Sequence, residues 1–331
     1  MNMCNAFLTN GNNIILIAPK RKHEKKINGI NIHEFYNVKD SLKIKFLYYP
    51  NIVGGAFIYA FFIFMYLLRN KFDLIYGRFL LGCAVSAKFD TKVMYEAHNE
   101  SWQESLYSKY LLKYLSKNNN FIKLIVISNS LKEAFLKLQI FNNFKIEVLP
   151  DGANKYENLK IPNIRLKGSP GELNICYVGH LYPGKGMEII SKIVTGLKQH
   201  RFHIIGGFDE DINYWKKIIK SDNIFFYGHL NHVHVQHYIS LMDICLLPIQ
   251  ENIQSFGYNV KQTMNIAKYT SPLKLFEYMS AKKLIIASDL PVIREILNER
   301  NSILVKCDDY SAWVKSIKKA AIPSYYSFQI L

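Results

Sequence analysis

Residues 270–297, with the sequence TSPLKLFEYMSAKKLIIASDLPVIREIL, decide the fold of this chain. Thr270 or Ser271 is placed to cap a helix, and Pro272 suits its first turn. Because the first N–H groups of a helix have no acceptor inside the helix, such a start can bind an anion. Glu277, one turn further on, can accept hydrogen bonds from vicinal hydroxyl groups such as those of a ribose. With a short apolar strand directly behind the helix, the pattern predicts a nucleotide-diphosphate site.

A second stretch, YVGHLYPGKGMEII at residues 177–190, has the pattern of a phosphate-binding loop. An apolar strand ends at Gly179, and a loop with Gly184 and Gly186 leads into a helix. Glycine lets the backbone approach a ligand closely, and Lys185 places a mobile ammonium group between the two glycines. An ordinary strand–turn–helix with a surface lysine gives the same pattern, and the first stretch fits a helix–strand unit of any α/β protein. Each motif alone therefore leaves both alternatives open.

Together the two stretches resemble the motifs of the GT-B glycosyltransferases, specifically those of the retaining family 4. In that family two glutamates separated by seven residues mark the helix start. Glu277 matches the second glutamate, which implies ribose binding, whereas Tyr269 replaces the first. The loop lysine of the family contacts the diphosphate of the nucleotide-sugar donor, and an arginine usually stands where this chain has a histidine. The resemblance assigns the donor diphosphate to residues of both motifs: Lys185, His180, Ser271, Leu273 and Lys274.

Other places in the chain also match the family. His98, in the segment YEAHNE at the end of a strand, corresponds to a histidine that faces the donor sugar, so the resemblance implies a catalytic role for His98. Gly207, Gly228 and His229 match loops near the nucleotide. The four histidines from His229 to His237 lack the cysteine or carboxylate companions of a metal site, so we expect this segment to be a polar loop that enters a helix. We expect no metal and no cofactor, since the nucleotide-sugar is a co-substrate.

Short apolar strands alternate with helix-length segments, which predicts an α/β fold with parallel sheets. We expect two doubly wound domains that face a cleft, at 1–160 and 173–331, with a linker at 161–172. The predicted strands are 14–19, 73–77, 92–96, 123–128 and 145–150 in the first domain, then 173–179, 202–207, 223–228, 243–248 and 284–288 in the second. The helices predicted in the first domain are 2–10, 52–70, 79–89, 102–117 and 130–139.

The predicted order begins with a helix, although a doubly wound domain normally begins with a strand and a glycine-containing turn. We therefore expect the first strand of the N-terminal domain to be missing. The chain also ends soon after residues 310–320, where the family usually adds helices that return to the first domain. Such a truncation would impair activity, and a non-catalytic remnant is one alternative function.

The composition of the chain limits which partners it is expected to bind. The formal net charge is +16, and residues 1–150 hold 20 lysines and arginines against 10 aspartates and glutamates. No helix-turn-helix, RNP or zinc-finger pattern is present, so we expect an anionic membrane surface and no nucleic acid as partner. Residues 52–68 carry no charge, which fits either a core helix that touches the membrane or a true span. The strand that follows directly favours the core helix.

The sequence thus predicts a retaining hexosyltransferase that moves a sugar from a nucleotide-diphosphate sugar to a glycan or lipid-linked acceptor in surface polysaccharide synthesis. Five dispersed cysteines fit buried thiols in a reducing compartment, so we expect a cytoplasmic protein at the inner face of the membrane. A sugar-nucleotide epimerase of the same fold is the other alternative.

Overall fold

The computed structural model describes residues 1–20, 32–35, 38–103, 105–155, 164–168, 172–253 and 265–322. The chain forms two compact units. The first comprises Met1–Ile127 and Leu131–Leu149, and the second comprises Ser128–Ser130 and Pro150–Leu331. Part of the predicted linker lies outside the described residues, and the predicted domain bounds stay a prediction.

The N-terminal half of the chain alternates strands and helices. Its strands are β1 (Ile15–Lys20), β2 (Lys43–Tyr48), β3 (Leu74–Gly77), β4 (Lys92–Ala97), β5 (Phe121–Val126) and β6 (Ile146–Val148). Its helices are α1 (Asn2–Thr9), α2 (Ile32–Phe35), α3 (Gly55–Leu67), α4 (Leu80–Ser86), α5 (Leu106–Lys117) and α6 (Asn129–Lys137). Strands β3 to β6 pair in sequence order in one parallel sheet, and β1 pairs with β2 in another.

The C-terminal half repeats the alternation. Its strands are β7 (Asn174–Val178), β8 (Arg201–Ile205), β9 (Ile224–Gly228), β10 (Ile244–Leu247), β11 (Leu284–Ser288) and β12 (Ile303–Val305). Its helices are α7 (Met187–Ile193), α8 (Asp209–Ile218), α9 (His232–Ser240), α10 (Leu273–Ser280), α11 (Pro291–Arg294) and α12 (Tyr310–Ala320). All strand pairs are parallel, and β10 and β11 are completely buried, as expected for strands covered on both faces.

The strand order of the second sheet is β12-β11-β10-β7-β8-β9. From β7 the chain winds outward through β8 and β9, then returns to β10 and winds outward in the other direction. The order therefore reverses between β7 and β10. In open parallel sheets a ligand binds outside the carboxyl ends of the strands at such a switch point. The loop that follows β7, the second stretch singled out above, leaves the sheet there.

Every predicted strand overlaps an observed one, and two strands were missed. Strand β2 alternates lysine with apolar residues and is largely exposed, and β12 has three residues, so neither gives a strong apolar run. The helix predicted at 52–70 is shorter in the structure, where α3 has 13 residues and is about 20 Å long. A membrane core is about 30 Å thick. Among the residues that the structure describes, no helix combines the length and apolarity needed to cross a membrane.

Candidate functional site

Two glycine turns pack against each other at the switch point. Gly179, directly after β7, has a φ of +145°, and Gly206, directly after β8, has a φ of +109°. A Cβ atom on Gly206 would lie 2.3 Å from the carbonyl oxygen of Gly179, and a Cβ atom on Gly179 would lie 3.2 Å from Nζ of Lys274. Both positions therefore require glycine, and their absent side chains allow an ammonium group to lie against the backbone.

Lys274 is the cation at this turn. Its Nζ lies 4.0 Å from the centroid of the Tyr177 ring, within cation–π distance. Burial lowers the pKa of Lys274 well below its ordinary value, and the charge of Lys185 lowers it further, whereas Glu277 opposes the shift. The sequence predicted Lys274 as a diphosphate contact, and in the structure its ammonium group lies beside Gly179, at the carboxyl end of β7.

Lys185 is the second cation, and Glu188 shapes its loop. The Lys185 Nζ lies 5.3 Å from the centroid of the Tyr182 ring, and burial lowers its pKa. The carboxylate of Glu188 accepts hydrogen bonds from the N–H groups of Gly184 (2.9 Å) and Gly186 (3.3 Å), on either side of the lysine. Sequence reasoning missed Glu188. Its position in the first turn of α7, just after a glycine loop, is the signal that could have found it.

His180, predicted to contact the diphosphate, follows the first glycine turn. Partial burial lowers its pKa below the ordinary 6.5, and the neighbouring charges of Lys185 and Lys274 act in the same direction. The imidazole is therefore neutral at pH 7 and offers a hydrogen bond to an anion rather than a charge. Its ring lies 5.5 Å from that of Tyr182 and 6.0 Å from that of Phe208, measured between centroids.

The predicted helix cap is wrong. Helix α10 begins at Leu273 with Pro272 in the N-cap position, and no side chain caps it. The hydroxyl oxygen of Ser271 instead accepts a hydrogen bond from the N–H of Asp151, so it is engaged elsewhere. The helix still begins at the predicted place, with Leu273 exposed, so its first N–H groups point out of the helix without intrahelical acceptors.

Glu277 lies one turn into α10 and is 17% exposed. Its Oε1 is 3.6 Å from Nδ1 of His232, the first residue of α9. Burial raises the pKa of Glu277, while His232 and Lys274 oppose the rise. Nε2 of His232 lies 3.3 Å from Nε2 of Gln236, so the histidine joins the carboxylate to the side of α9.

The other predicted loop residues lie at strand ends of the same sheet. Gly207 follows β8, and Gly228 ends β9, with the exposed His229 next to it. Asn231 caps α9 by accepting the N–H of His234, so the histidine-rich segment is a loop that enters a helix, as predicted. The part of the chain that the structure describes holds no group of three or more His, Cys, Asp or Glu residues arranged for a metal.

A separate polar cluster lies in the first unit. Glu96 near the end of β4 is 3% exposed, and its Oε1 lies 2.8 Å from Nη2 of Arg78 and 2.6 Å from Nε2 of His98. Burial alone would raise the pKa of Glu96. Hydrogen bonds from His98 and Arg78, with the charge of Arg78, outweigh burial and lower the pKa to about 2. Sequence reasoning named His98 but missed Arg78, which directly follows β3, the strand that pairs with β4.

The cluster lines a cavity of about 520 Å³ within the first unit. Its wall combines the polar side chains of Arg78, Glu96, His98, Asn99 and Ser101 with aromatic and aliphatic ones. A cavity of this size, largely apolar with a few convergent polar groups, is typical of a small-molecule site.

Solved structures share this architecture. Sucrose-phosphate synthase from Thermosynechococcus elongatus matches with a TM-score of 0.68 at 16% identity, over 99% of this chain and 84% of that one. Anabaena HepE in complex with UDP and glucose matches with a TM-score of 0.64 at 14% identity, over 88% and 79%. The lipopolysaccharide outer core galactosyltransferase WaaB matches with a TM-score of 0.56 at 16% identity, over 88% and 80%. Comparison with curated proteins finds no match.

The parallel sheets and these neighbours define the class: the chain has the α/β fold of the GT-B glycosyltransferases. Residues 172–321 match the family model of the glycosyl transferases group 1. That segment contains both the switch-point loop and α10, so the predicted resemblance to the GT-B, group 1 glycosyltransferases is confirmed.

Proposed function

We propose that this protein is a retaining hexosyltransferase that uses a nucleotide-diphosphate sugar as donor. The observation that carries the proposal is the pair of ammonium groups of Lys185 and Lys274 at the switch point of a group 1 domain. Such a position suits a polyanion, and HepE, a neighbour of the same fold, is described in complex with UDP-glucose. UDP is therefore the first nucleotide to test.

The lysines act on the leaving group. When the bond between the sugar and the diphosphate breaks, negative charge grows on the departing oxygen, and preorganised cations stabilise that charge. Lys185, Lys274 and the start of α10 supply this stabilisation, with His180 as a neutral hydrogen-bond partner. Because two ammonium groups are present, we propose that no divalent cation is needed.

Glu277 holds the nucleoside. A carboxylate accepts hydrogen bonds from both ribose hydroxyls, and its position one turn into α10 lies on the helix that also carries Lys274. Gly207, Gly228 and His229 belong to the loops at the same edge of the sheet and are proposed to line the nucleotide.

The first unit is proposed to bind the acceptor, a glycan or a lipid-linked saccharide of surface polysaccharide synthesis. The cavity at Glu96 and His98 has room for a sugar unit, and its aromatic wall suits the apolar face of a sugar ring. The buried Glu96 carboxylate fixes the His98 imidazole, which would contact the reacting sugar.

An anionic membrane surface is the proposed partner of the first unit, with the protein in the cytoplasm. Leu106 is 87% and Tyr110 65% exposed on α5, which also carries Lys109, Lys113 and Lys117 and no acidic residue. The rings of Phe57 on α3 and Tyr107 on α5 lie 5.3 Å apart, so the exposed side chains of α3 adjoin this face. Exposed apolar side chains beside lysines suit an anionic lipid interface.

A donor panel tests the function. Purified protein is incubated with UDP-, GDP- and ADP-sugars, with and without EDTA, and hydrolysis and nucleotide binding are measured. We expect one nucleotide to bind and its sugar to be released slowly to water, with no effect of EDTA. Retention is read from the anomeric configuration of the transferred sugar by NMR. Absence of binding to every member of the panel would refute the proposal.

A further inference from the structure

The two lysines at the switch point lack carboxylate partners. Among the residues that the structure describes, no Asp or Glu forms an ion pair with Nζ of Lys185 or Lys274, although six other lysine, arginine and histidine side chains form such pairs. Glu188, in the first turn of α7, accepts hydrogen bonds from backbone N–H groups of the loop instead. Neither ammonium group is therefore neutralised by a direct ion pair within the described part of the chain, and Glu277 acts on Lys274 without forming one.

Tyr177 is the group in contact with Lys274. It is 1% exposed, and its ring lies 4.0 Å below the ammonium nitrogen, a shorter distance than that between Lys185 and Tyr182. Its hydroxyl donates a hydrogen bond of 2.6 Å to the carbonyl oxygen of His180. One buried side chain thus holds the ammonium group on its ring face and the glycine turn on its hydroxyl.

We propose that Tyr177 is a positioning residue that holds Lys274 as a cation against the Gly179 turn, so that the anion site keeps its positive charge without an ion-paired carboxylate. A carboxylate in this place would neutralise the ammonium group and compete with the diphosphate, whereas a ring face attracts the cation without adding a negative charge. The inference rests on the proposed donor site and concerns how that site is maintained.

Several groups face Lys274 and set its titration. They are the Tyr177 ring and the Cys176 thiol from β7, the Lys185 ammonium from the following loop, the His180 imidazole, and Glu277 from its own helix. Burial and Lys185 favour the neutral amine, and Glu277 favours the ammonium. The ring also favours the ammonium, so its removal should lower the pKa of Lys274 further.

The direct test follows Lys274 in the ligand-free protein. The pKa of Lys274 is read from the ¹³Cε chemical shift of labelled lysine, assigned with Lys274→Arg. We expect Tyr177→Leu to lower the pKa by about half a unit to one unit, the size of a partly buried cation–π contact. Tyr177→Phe, which keeps the ring and loses the hydroxyl, should leave it unchanged. An unchanged pKa in Tyr177→Leu would overturn the proposal, and Tyr177→Met serves in its place if that variant does not fold.

A binding experiment separates this inference from the proposed function. UDP and inorganic pyrophosphate are titrated above pH 7, and the pH at which half of the affinity is lost is recorded. We expect this midpoint to fall in Tyr177→Leu, to hold in Tyr177→Phe, and to be insensitive to Tyr177→Leu in the Lys274→Arg background, because a guanidinium stays charged. If the wild type binds neither ligand while the NMR shift appears, the donor site is wrong and the role of Tyr177 stands. If Tyr177→Leu instead lost the same affinity at every pH, the proposed role of Tyr177 would be overturned.

Discussion

The carboxylate of Glu277 lies 3.6 Å from the imidazole of His232, with Oε1 facing Nδ1, and burial raises the pKa of that carboxyl group. A raised pKa means that protonation removes the acceptor before ordinary glutamates titrate. Nucleotide binding through Glu277 should therefore be present above the raised pKa and weaken as the pH falls through it. His232 opposes this rise in the pKa of Glu277 and therefore extends the pH range of nucleotide binding towards lower pH.

The first prediction concerns Glu277 as the ribose ligand. Glu277→Gln should weaken UDP binding by about 10- to 150-fold, since a hydrogen bond to a charged group contributes about 1.5–3 kcal/mol. The same substitution should weaken the binding of 2′,3′-dideoxy-UDP much less, because that ligand has no ribose hydroxyls. Calorimetric titration of both ligands checks this, with Glu210→Gln on the exposed side of α8 as control. Equal weakening of the two ligands would show that Glu277 is structural.

The second prediction separates the two site lysines from an ordinary one. Lys185→Ala and Lys274→Ala should each reduce UDP affinity by about 10- to 150-fold, because each removes a charge-assisted contact. Lys192→Ala, on the exposed face of α7, should leave it unchanged. Binding is measured at pH 7, together with thermal melting without ligand. An affinity in Lys185→Ala equal to that in Lys192→Ala would contradict the assignment.

The third prediction concerns the glycine turn. Gly179→Ala should destabilise the second unit by about 1–3 kcal/mol, because a φ of +145° is strained for any residue with a Cβ atom. It should also displace the Lys274 ammonium and weaken UDP binding. Gly196→Ala is the matched control, since its φ is not in the positive region and its nearest neighbour would be 3.8 Å away. Urea unfolding and UDP titration on both variants provide the measurement, and similar values for the two would refute the argument.

The fourth prediction uses the lowered pKa of Glu96. A carboxyl group whose pKa falls from 4.5 to about 2 on folding adds stability that is present above pH 4.5 and is lost as the pH falls towards 2. The full effect is on the order of 3 kcal/mol. Glu96→Gln should therefore reduce the stability of the first unit at pH 7 and flatten its decline between pH 4.5 and 2.

Glu147 provides the control for that experiment. It is half exposed and pairs with Lys123 at 3.3 Å, so Glu147→Gln removes a surface ion pair of the same unit and should change stability by less than about 1 kcal/mol. Urea unfolding of both variants at a series of pH values makes the comparison. A decline as steep in Glu96→Gln as in the wild type would show that Arg78 and His98 do not hold the Glu96 carboxylate ionised.

Local sequence predicted the strands and the group 1 motifs because both rest on short-range signals. Apolar runs mark the strands, and glycine spacing marks the loop at Lys185. Glu188 was missed although its signal is local, whereas Arg78 was missed because its role depends on long-range pairing. Arg78 meets Glu96 because β3 pairs with β4 in one register, with Gly77 opposite Tyr95, and that register is set by packing across the sheet.

The wrong helix cap has a similar origin. A serine before a proline at a helix start is a good cap on local grounds, but the Ser271 hydroxyl binds the N–H of Asp151, far away in the sequence. Tyr177 was predicted as part of an apolar strand. Its contact with Lys274 depends on how α10 packs against the end of β7, which the sequence alone does not specify.

The last prediction concerns the lysine-rich face of α5. The double variant Leu106→Ser with Tyr110→Ser should reduce co-sedimentation with vesicles that contain anionic lipid, because it removes the apolar side chains that enter the interface. Lys109→Gln with Lys113→Gln should reduce the dependence on anionic lipid and on salt, since each lysine near the surface contributes about 1 kcal/mol. Phe208→Ser with Tyr214→Ser removes two comparably exposed aromatic rings from the second unit. This control should change neither the amount of co-sedimentation nor its dependence on anionic lipid and salt. Equal loss in this control would show that vesicle binding reflects general exposure of apolar side chains, and wild-type binding that ignores lipid charge and salt would contradict the electrostatic part of the argument.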